Sequence, residues 1–324
     1  MSNFRPMFAP RESPLKYPNY FKKLRYPLLV SAKLDGIRCL VKGAEKHEYD
    51  SAFRIIDTQM YSVAKSRTLI DLPSKQVQEE FSGFLELDGE LAEGDETDKA
   101  LCRRTMSYVT SDDKYSDDLK FRVFDCCDVD LADEPFEVRL EYARDLISRY
   151  SSLFPNSKVS LVEHERVKNL DELLEVEAKF LGMGYEGVMA RDPLGRYKHG
   201  RGTFKEGLIY KLKRFQDDEA ILVDVLPGFD NHNVDIRSNL GTAKRQTLKE
   251  NMVESTRAGT LIVEFNGALI DIAPGTLTHP EREHLLAHKE EYIGRILTFH
   301  HMTHGAKDAP RFAGFFTWRD KRDI

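Results

Sequence analysis

The chain has 324 residues, 41% hydrophobic and 31% charged, a balance that suits one large or two smaller globular domains with ample core. It has no run approaching about 18 uncharged apolar residues, no signal-type opening and no zinc spacing among Cys39, Cys102, Cys126 and Cys127; a membrane span, export and a cysteine metal site are therefore not expected, and reduced thiols in a cytoplasm are. A net charge of −6 excludes bulk attraction to a polyanion but leaves room for local basic surfaces on an acidic body.

Residues 1–26, rich in Pro, Tyr and basic side chains, read as an extended lead-in. An apolar run then precedes Ser31-Ala-Lys-Leu-Asp-Gly-Ile-Arg38. Asp35-Gly36 predicts a two-residue hairpin turn, because both residues tolerate positive φ. In that hairpin Leu34 and Ile37 flank the turn, and Lys33 and Arg38 form the next cross-strand pair on the other face. A guanidinium held beside an amine disfavours the ammonium form, and a neutral amine is a nucleophile. The same residues would equally suit an exposed, charged hairpin tip; only phosphate and metal ligands from distant segments can separate the two.

Ser66-Arg67, before the turn-like Asp71-Leu-Pro-Ser74, carries no signal alone. Phe84 to Leu91 alternates, with Glu86, Asp88 and Glu90 on one face and Leu85, Leu87 and Leu91 on the other. Three carboxylates on one strand face are either solvated at a sheet edge or shared with a cation or donors. Phe121-Arg-Val-Phe-Asp125 predicts a buried strand. Helical periodicity follows over Glu134 to Ser152 and over Asn169 to Leu181, the second with Asp171 and Glu172 in its first turn and Gly182 and Gly184 as stops. Lys158 to Glu163 and Tyr185 to Arg191 predict strands, the latter carrying Glu186, a lone acid among apolar neighbours that needs a partner. From Arg191 to Arg214 basic residues dominate, and Ile209-Tyr-Lys-Leu-Lys213 sets Lys211 and Lys213 on one strand face, an arrangement that suggests an anion between them.

Beyond Arg214 the pattern changes to short strands: Ala220 to Leu226, Leu261 to Ile272 with an Asn266-Gly267 turn, Gly294 to His300 and Phe312 to Trp318, with one helix near Pro280 to Tyr292. This predicts a small barrel of the oligonucleotide-binding type with a domain boundary near Arg214. Neither GxxxxGK[ST] nor GxGxxG occurs, so a P-loop or Rossmann site is not expected. His284 and His288 lack the zincin Glu, and His300, His301 and His304 read as surface histidines.

The order of these segments resembles the covalent nucleotidyltransferases: Lys-Leu-Asp-Gly-Ile-Arg, Ser-Arg, Leu-Asp-Gly-Glu-Leu, Phe-Arg-Val-Phe-Asp, Glu-Gly-Val-Met and Lys-Leu-Lys. Over about residues 28–320 the chain resembles the ATP-dependent DNA ligases, specifically the small bacteriophage type, strengthened by Tyr197-Lys-His-Gly-Arg201 and Arg311-Phe-Ala-Gly-Phe-Phe-Thr-Trp-Arg319. The resemblance implies an α+β fold, with an adenylation (nucleotidyltransferase) domain of antiparallel sheets and helices over 1–214 and an OB-fold β-barrel domain over 215–324. It implies a monomer in the host cytoplasm that uses ATP and Mg²⁺ (or Mn²⁺) to seal nicked double-stranded DNA in replication, repair and recombination.

The roles it implies attach to particular residues. Lys33 is the nucleophile on the α-phosphate, with Ser31, Ala32 and Leu34 beside it against the nucleotide. Arg38 and Arg67 hold the nucleotide and later the 5′-phosphate; Glu90 binds ribose or assists metal; Phe124 packs on adenine; Glu186 is the metal-linked acid. Lys211 and Lys213 flank the α-phosphate, with Arg201 a basic ligand upstream. Lys244, Arg245 and Lys249 form a possible DNA clamp inside the barrel domain. The family's C-terminal Arg-x-Asp-Lys reads Arg319-Asp320-Lys321-Arg322 here, and Arg319 and Lys321 are the implied pyrophosphate-orienting pair. RNA ligases of the superfamily usually lack the arginine at position 38 and this barrel, and capping enzymes commonly carry Asp-Gly where Glu186-Gly187 stands.

Overall fold

The computed structural model describes residues 4–11, 13–16, 21, 24–51, 53–237, 243–302 and 310–319, the side chains of 16, 49, 243 and 244 excepted. The chain divides into two compact units, Met1–Lys213 and Arg214–Arg237 with Ala243–Ile324.

The first unit runs β1 (Leu28–Ala32), β2 (Ile37–Tyr49), β3 (Ile55–Ser66), α1 (Lys75–Phe81), β4 (Leu87–Glu93), α2 (Leu101–Val109), β5 (Leu119–Cys126), α3 (Phe136–Leu153), β6 (Val159–Leu161), β7 (Glu165–Val167), α4 (Leu170–Gly182), β8 (Val188–Arg191) and β9 (Ile209–Leu212). These strands make two sheets, one of order β7-β1-β8-β9 and one of order β3-β2-β4-β5-β6. All pairs are antiparallel except β5 with β6. The larger sheet packs Cys39, Val41, Leu87, Leu91, Phe121 and Val123 against Val77 and Phe81 of α1, Val109 of α2 and Ala143 and Ile147 of α3. The smaller sheet buries Leu28, Val30, Val188, Ala190 and Leu212 against Leu173 and Phe180 of α4. That helix starts where the sequence predicts: the Asn169 side chain accepts from the Glu172 N–H at 2.9 Å and so satisfies an orphan donor of the first turn.

Two predicted features of the first unit differ from what is observed. Asp35-Gly36 does not close a hairpin. β1 pairs with β7 and β8, whereas β2 pairs with β3 and β4, so residues 33–36 carry the chain from one sheet to the other. Lys33 and Arg38 are therefore not a cross-strand pair; Arg38 stands opposite Glu90. Gly36 is needed there for room, since a Cβ would lie 2.1 Å from the Leu91 carbonyl oxygen. The second correction concerns the acidic face. β4 is the central strand of its sheet, not a solvated edge, and Asp88 is fully buried. Glu86 precedes the strand at φ +63° and Leu85 is exposed, so the alternation holds only from Leu87 onward.

The second unit comprises β10 (Gln216–Asn231), β11 (Asp235–Arg237), β12 (Ala243–Arg245), β13 (Met252–Phe265), β14 (Ala268–Ile272), α5 (His279–Ala287), β15 (Ile296–Met302) and β16 (Arg311–Trp318). Five strands follow the order β14-β13-β10-β15-β16, and the two ends meet: Ala273 bridges Gly314 and exchanges hydrogen bonds of 2.9 Å with Ala313 and Phe315. Register shifts in β10–β13 and β15–β16 bend the long strands enough for that closure. Leu222, Val225, Leu261, Val263, Leu297, Phe299 and Phe315 fill the interior. Asn266 (φ +51°) and Gly267 (φ +77°) form the predicted turn between β13 and β14. The predicted helix near Pro280 is shorter than expected: a capping box of Thr278 and Glu281 starts α5, and a 3₁₀ turn, Lys289–Glu291, takes over after it. Among the described residues no helix is long and apolar enough to cross a membrane.

Candidate active site

A cavity of about 180 Å³ in the first unit is lined by Ser31, Ala32, Lys33, Leu34, Arg38, Glu90, Phe124, Met189 and Arg191, with residues 7–9 of the lead-in. Arg38, Glu90, Phe124, Met189 and Arg191 arrive on strands β2, β4, β5 and β8, and Lys33 and Leu34 in the connection after β1. Ser31 and Ala32 end β1, and the Lys33 N–H donates to the Gly187 carbonyl at 2.9 Å, which holds the lysine at the seam with β8. Phe124 is the extra residue of β5 at the register shift opposite Asp88 and Gly89. Such a bulge re-aims one side chain, and Phe124 lines the cavity while its neighbours Val123 and Asp125 stay buried.

Glu186 has the partners its burial requires. Its carboxylate takes the Lys33 ammonium on Oε2 and the Lys213 ammonium on Oε1, the latter at 2.6 Å. Burial pushes the Glu186 pKa up, yet the two lysines outweigh it and hold the carboxyl below its ordinary range. The expected neutral Lys33 is corrected here. Burial disfavours its charge, but Glu186 prevails and raises the Lys33 pKa above its ordinary value. Lys211 goes the other way: burial first, then Lys213, Arg201 and Lys33, lower its pKa. Burial, reinforced by Asp88 and Asp35 and opposed by Lys33 and Arg38, pushes Glu90 up to about 7.

Arg38 is fully engaged. Its Nε and Nη2 donate to Asp88 at 2.9 and 2.6 Å, and its Nη1 donates to the Met7 carbonyl at 2.6 Å. The Tyr197 hydroxyl donates to the same Asp88 at 2.8 Å. A second buried network was not legible in the sequence. Asp125 receives Arg139 Nε at 2.9 Å and also Arg191. Arg191 in turn lies 4.5 Å over the Phe136 ring and 5.6 Å from Phe124. The one sequence signal was a charged residue inside each of two apolar strands, Asp125 and Arg191.

Of the remaining expected residues, Arg201 stays near the cavity, 5.4 Å from the Phe8 ring centre. Arg67 is exposed in the turn after β3 and does not line the cavity. Arg201 donates to the Ala9 carbonyl at 2.7 Å. In the second unit Arg245 pairs with Asp235 at 2.8 Å, Lys249 is exposed, and Arg319 pairs with Glu219 at 2.7 Å. The Lys244 side chain and Lys321 lie outside the described residues. Among the described residues no three His, Cys, Asp or Glu side chains gather as a metal site.

The family profile described as "ATP dependent DNA ligase domain" matches residues 6–213. The chain belongs to the ATP-dependent DNA ligase family. The match covers the whole cavity and agrees with the ordered segments of the sequence. The DNA ligase of African swine fever virus is 34% identical over 113 residues, 35% of this chain and 26% of that protein, so the chain spans about a quarter of that relative. The DNA ligase of Enterobacteria phage T4 is 23% identical over 316 residues, 85% of this chain and 60% of that protein. A solved structure of a Lig E DNA ligase is 20% identical, covers 97% of this chain and 99% of its own, and superposes with a TM-score of 0.62, a likeness of fold.

Proposed function

We propose that this family member is an ATP-dependent DNA ligase that seals nicks in duplex DNA through a covalent lysyl-AMP intermediate on Lys33. The observation that carries the reading is the lysine–carboxylate–lysine bridge of Lys33, Glu186 and Lys213 at a cavity that also presents Phe124, built from segments up to 180 positions apart. In this reading residues 1–214 are the adenylation domain and residues 215–324 an OB-fold domain, a role that the closed five-stranded sheet supports.

The Lys33 ammonium first gives up a proton to solvent; the neutral Nζ then attacks the α-phosphorus of ATP, the bond to pyrophosphate breaks, and the nitrogen loses a second proton to solvent. A 5′-phosphate oxygen of the nick then attacks the same phosphorus and Lys33 departs as the amine. The 3′-hydroxyl finally displaces AMP and closes the strand. Such transfers need in-line positioning and charge neutralisation more than proton traffic. Lys211 and Lys213 supply positive charge beside the α-phosphate, Phe124 the apolar face for adenine, and Arg319 with Lys321 orient pyrophosphate. Arg67, Lys244, Arg245 and Lys249 contact DNA. One or two carboxylates with phosphate oxygens suit Mg²⁺; Glu186 and Glu90, both close enough to act on Lys33, fit that donor set. When bound there, the ion neutralises the leaving pyrophosphate.

Incubation with α-labelled ATP and Mg²⁺, followed by a nicked duplex and a gel, tests this directly. The label is expected on Lys33, then on the 5′-phosphate, with joined product. Lys33→Ala is expected to lose the adduct yet close part of a pre-adenylylated nick. Labelling by GTP in place of ATP, or retained label in the Ala variant, would overturn the reading.

A further inference from the structure

We infer that the helical face of the first unit carries a docking groove for another protein, one that presents a basic segment with an apolar anchor. The groove is open, about 930 Å³, and lies between α1, the end of α3 and the loop before β5. Three rings in series line it. Phe84 is buried, its ring centre 4.4 Å from that of Tyr150, and Tyr150 stands 5.9 Å from Phe154, which is 58% exposed. The series is held at several points. The Tyr150 hydroxyl donates to the Gly83 carbonyl at 2.5 Å, and the Phe154 N–H donates to the Tyr150 carbonyl at 2.8 Å. The Phe154 carbonyl in turn accepts from the Ser157 N–H at 2.9 Å. Leu153, 73% exposed, and Tyr115, 60% exposed, complete the apolar surface. Single apolar side chains at a surface are ordinary; aromatic rings gathered in one groove are what anchors a protein partner.

The rim selects the occupant. Of the charged side chains at the groove, Glu79, Glu80 and Asp117 are acids and Lys158 is the one base. Lys158 is already engaged, with Glu80 at 3.3 Å, Asp117 at 3.9 Å and the Tyr115 ring centre at 5.2 Å. Glu79 is exposed, and the loop that carries Tyr115 adds exposed Asp112, Asp113 and Asp118. Such a rim repels the phosphates of DNA and attracts Lys and Arg, so charge complementarity favours a basic partner. The location leaves the nucleotide site free. Successive side chains on a strand point to opposite faces. Cys39, Leu91 and Val123 pack towards the helices, whereas Arg38, Glu90 and Phe124 line the cavity, so groove and cavity lie on opposite faces of one sheet.

The test titrates the full chain, by fluorescence anisotropy at low salt, with an array of labelled synthetic peptides that set a Leu, Phe or Trp anchor between Lys and Arg residues. Matched peptides carry Glu in place of the basic residues or Ser in place of the anchor. Binding is expected from members of the basic, anchored set and from neither matched set. Leu153→Ser combined with Phe154→Ser is expected to weaken it about tenfold or more, the loss of an anchoring contact, with Tm unchanged because both side chains are exposed. Glu79→Lys combined with Asp117→Lys should weaken it at low salt and much less at high salt. Phe53→Ser removes a ring that is 87% exposed between β2 and β3 and outside the groove, and should change nothing. Reaction with α-labelled ATP should be the same in every variant. Failure of every basic, anchored peptide to bind, equal binding of the acidic set, or an equal loss in Phe53→Ser would overturn the inference. So would a dimer of the chain, or binding of nicked duplex, that the Leu153 and Phe154 substitutions abolish, since the groove would then belong to a second copy or to DNA.

Discussion

Glu186 is the residue on which the charge state of Lys33 turns. One carboxylate serves two ammonium groups, so neither lysine is isolated and the acid stays ionised despite burial. Glu186→Gln removes the charge and leaves burial as the larger influence on Lys33. The Lys33 pKa, raised in the native protein, should then fall below its ordinary value of 10.5, and the amine should react faster with a methylating reagent near pH 8. A titration curve unchanged by the substitution would mean that Glu186 does not control the amine. His164 supplies a pH prediction for stability. Burial, helped by Arg191, holds its pKa down to about 4, against an ordinary 6.5. The folded protein therefore binds fewer protons than the unfolded chain in that window, and stability should be lost as pH falls from 6.5 towards 4. His164→Gln should lose less Tm over the same range, as read by thermal melts at pH 7 and pH 4.

At the level of elements, the site depends on a crossover between sheets. Residues 33–36 leave β1, which is bound to β7 and β8, and enter β2, which is bound to β3 and β4. Lys33 thus sits where two sheets diverge, with Glu90 on one side and Glu186 on the other. Gly36 lets that crossover lie against β4. In Gly36→Ala the new Cβ would meet the Leu91 carbonyl at 2.1 Å and Glu90 Cγ at 2.8 Å, and the first of these is backbone that cannot swing away. Overpacking of this kind costs about 1–3 kcal/mol, to be read by urea denaturation. Adduct formation should suffer more than stability, since the displaced segment carries Lys33. A variant with full adduct yield would show that the close approach is not required.

For the whole molecule, the proposed ligase activity requires a chain of net charge −6 to hold a polyanion. Binding must rest on local basic groups, and several are already paired: Arg245 with Asp235 and Asn231, Arg319 with Glu219. Each phosphate contact releases counterions and adds about −0.9 to the log–log salt slope. Nick binding should therefore weaken steeply with salt, while adduct formation in the cavity weakens far less. Replacing Lys244, Arg245 and Lys249 together by Ala should flatten the binding slope by up to about three contacts' worth and leave Lys33 adduct formation near normal. An unchanged slope in filter-binding titrations would remove that segment as a clamp and move duplex contact to the first unit.

Local chemistry made much of the chain readable in advance. The Asn169 cap, the Asn266-Gly267 turn and the apolar runs that became β5, β8 and β9 depend on neighbours a few positions away, and the sequence states those outright. The ordered segments from Lys33 to Lys213 likewise identified the family without coordinates. Other features depended on partners that no local pattern names. Asp35-Gly36 has the composition of a hairpin turn, yet β1 and β2 take their hydrogen bonds from strands in different sheets, and that choice is made by long-range pairing. The charge on Lys33 is decided by Glu186, 153 positions along the chain, because electrostatic influence follows distance in space. Gly200 and Gly202 receive and donate the backbone hydrogen bonds of Phe8; composition reads residues 1–26 as an extended lead-in, and long-range contact sets residues 7–9 of it against the cavity.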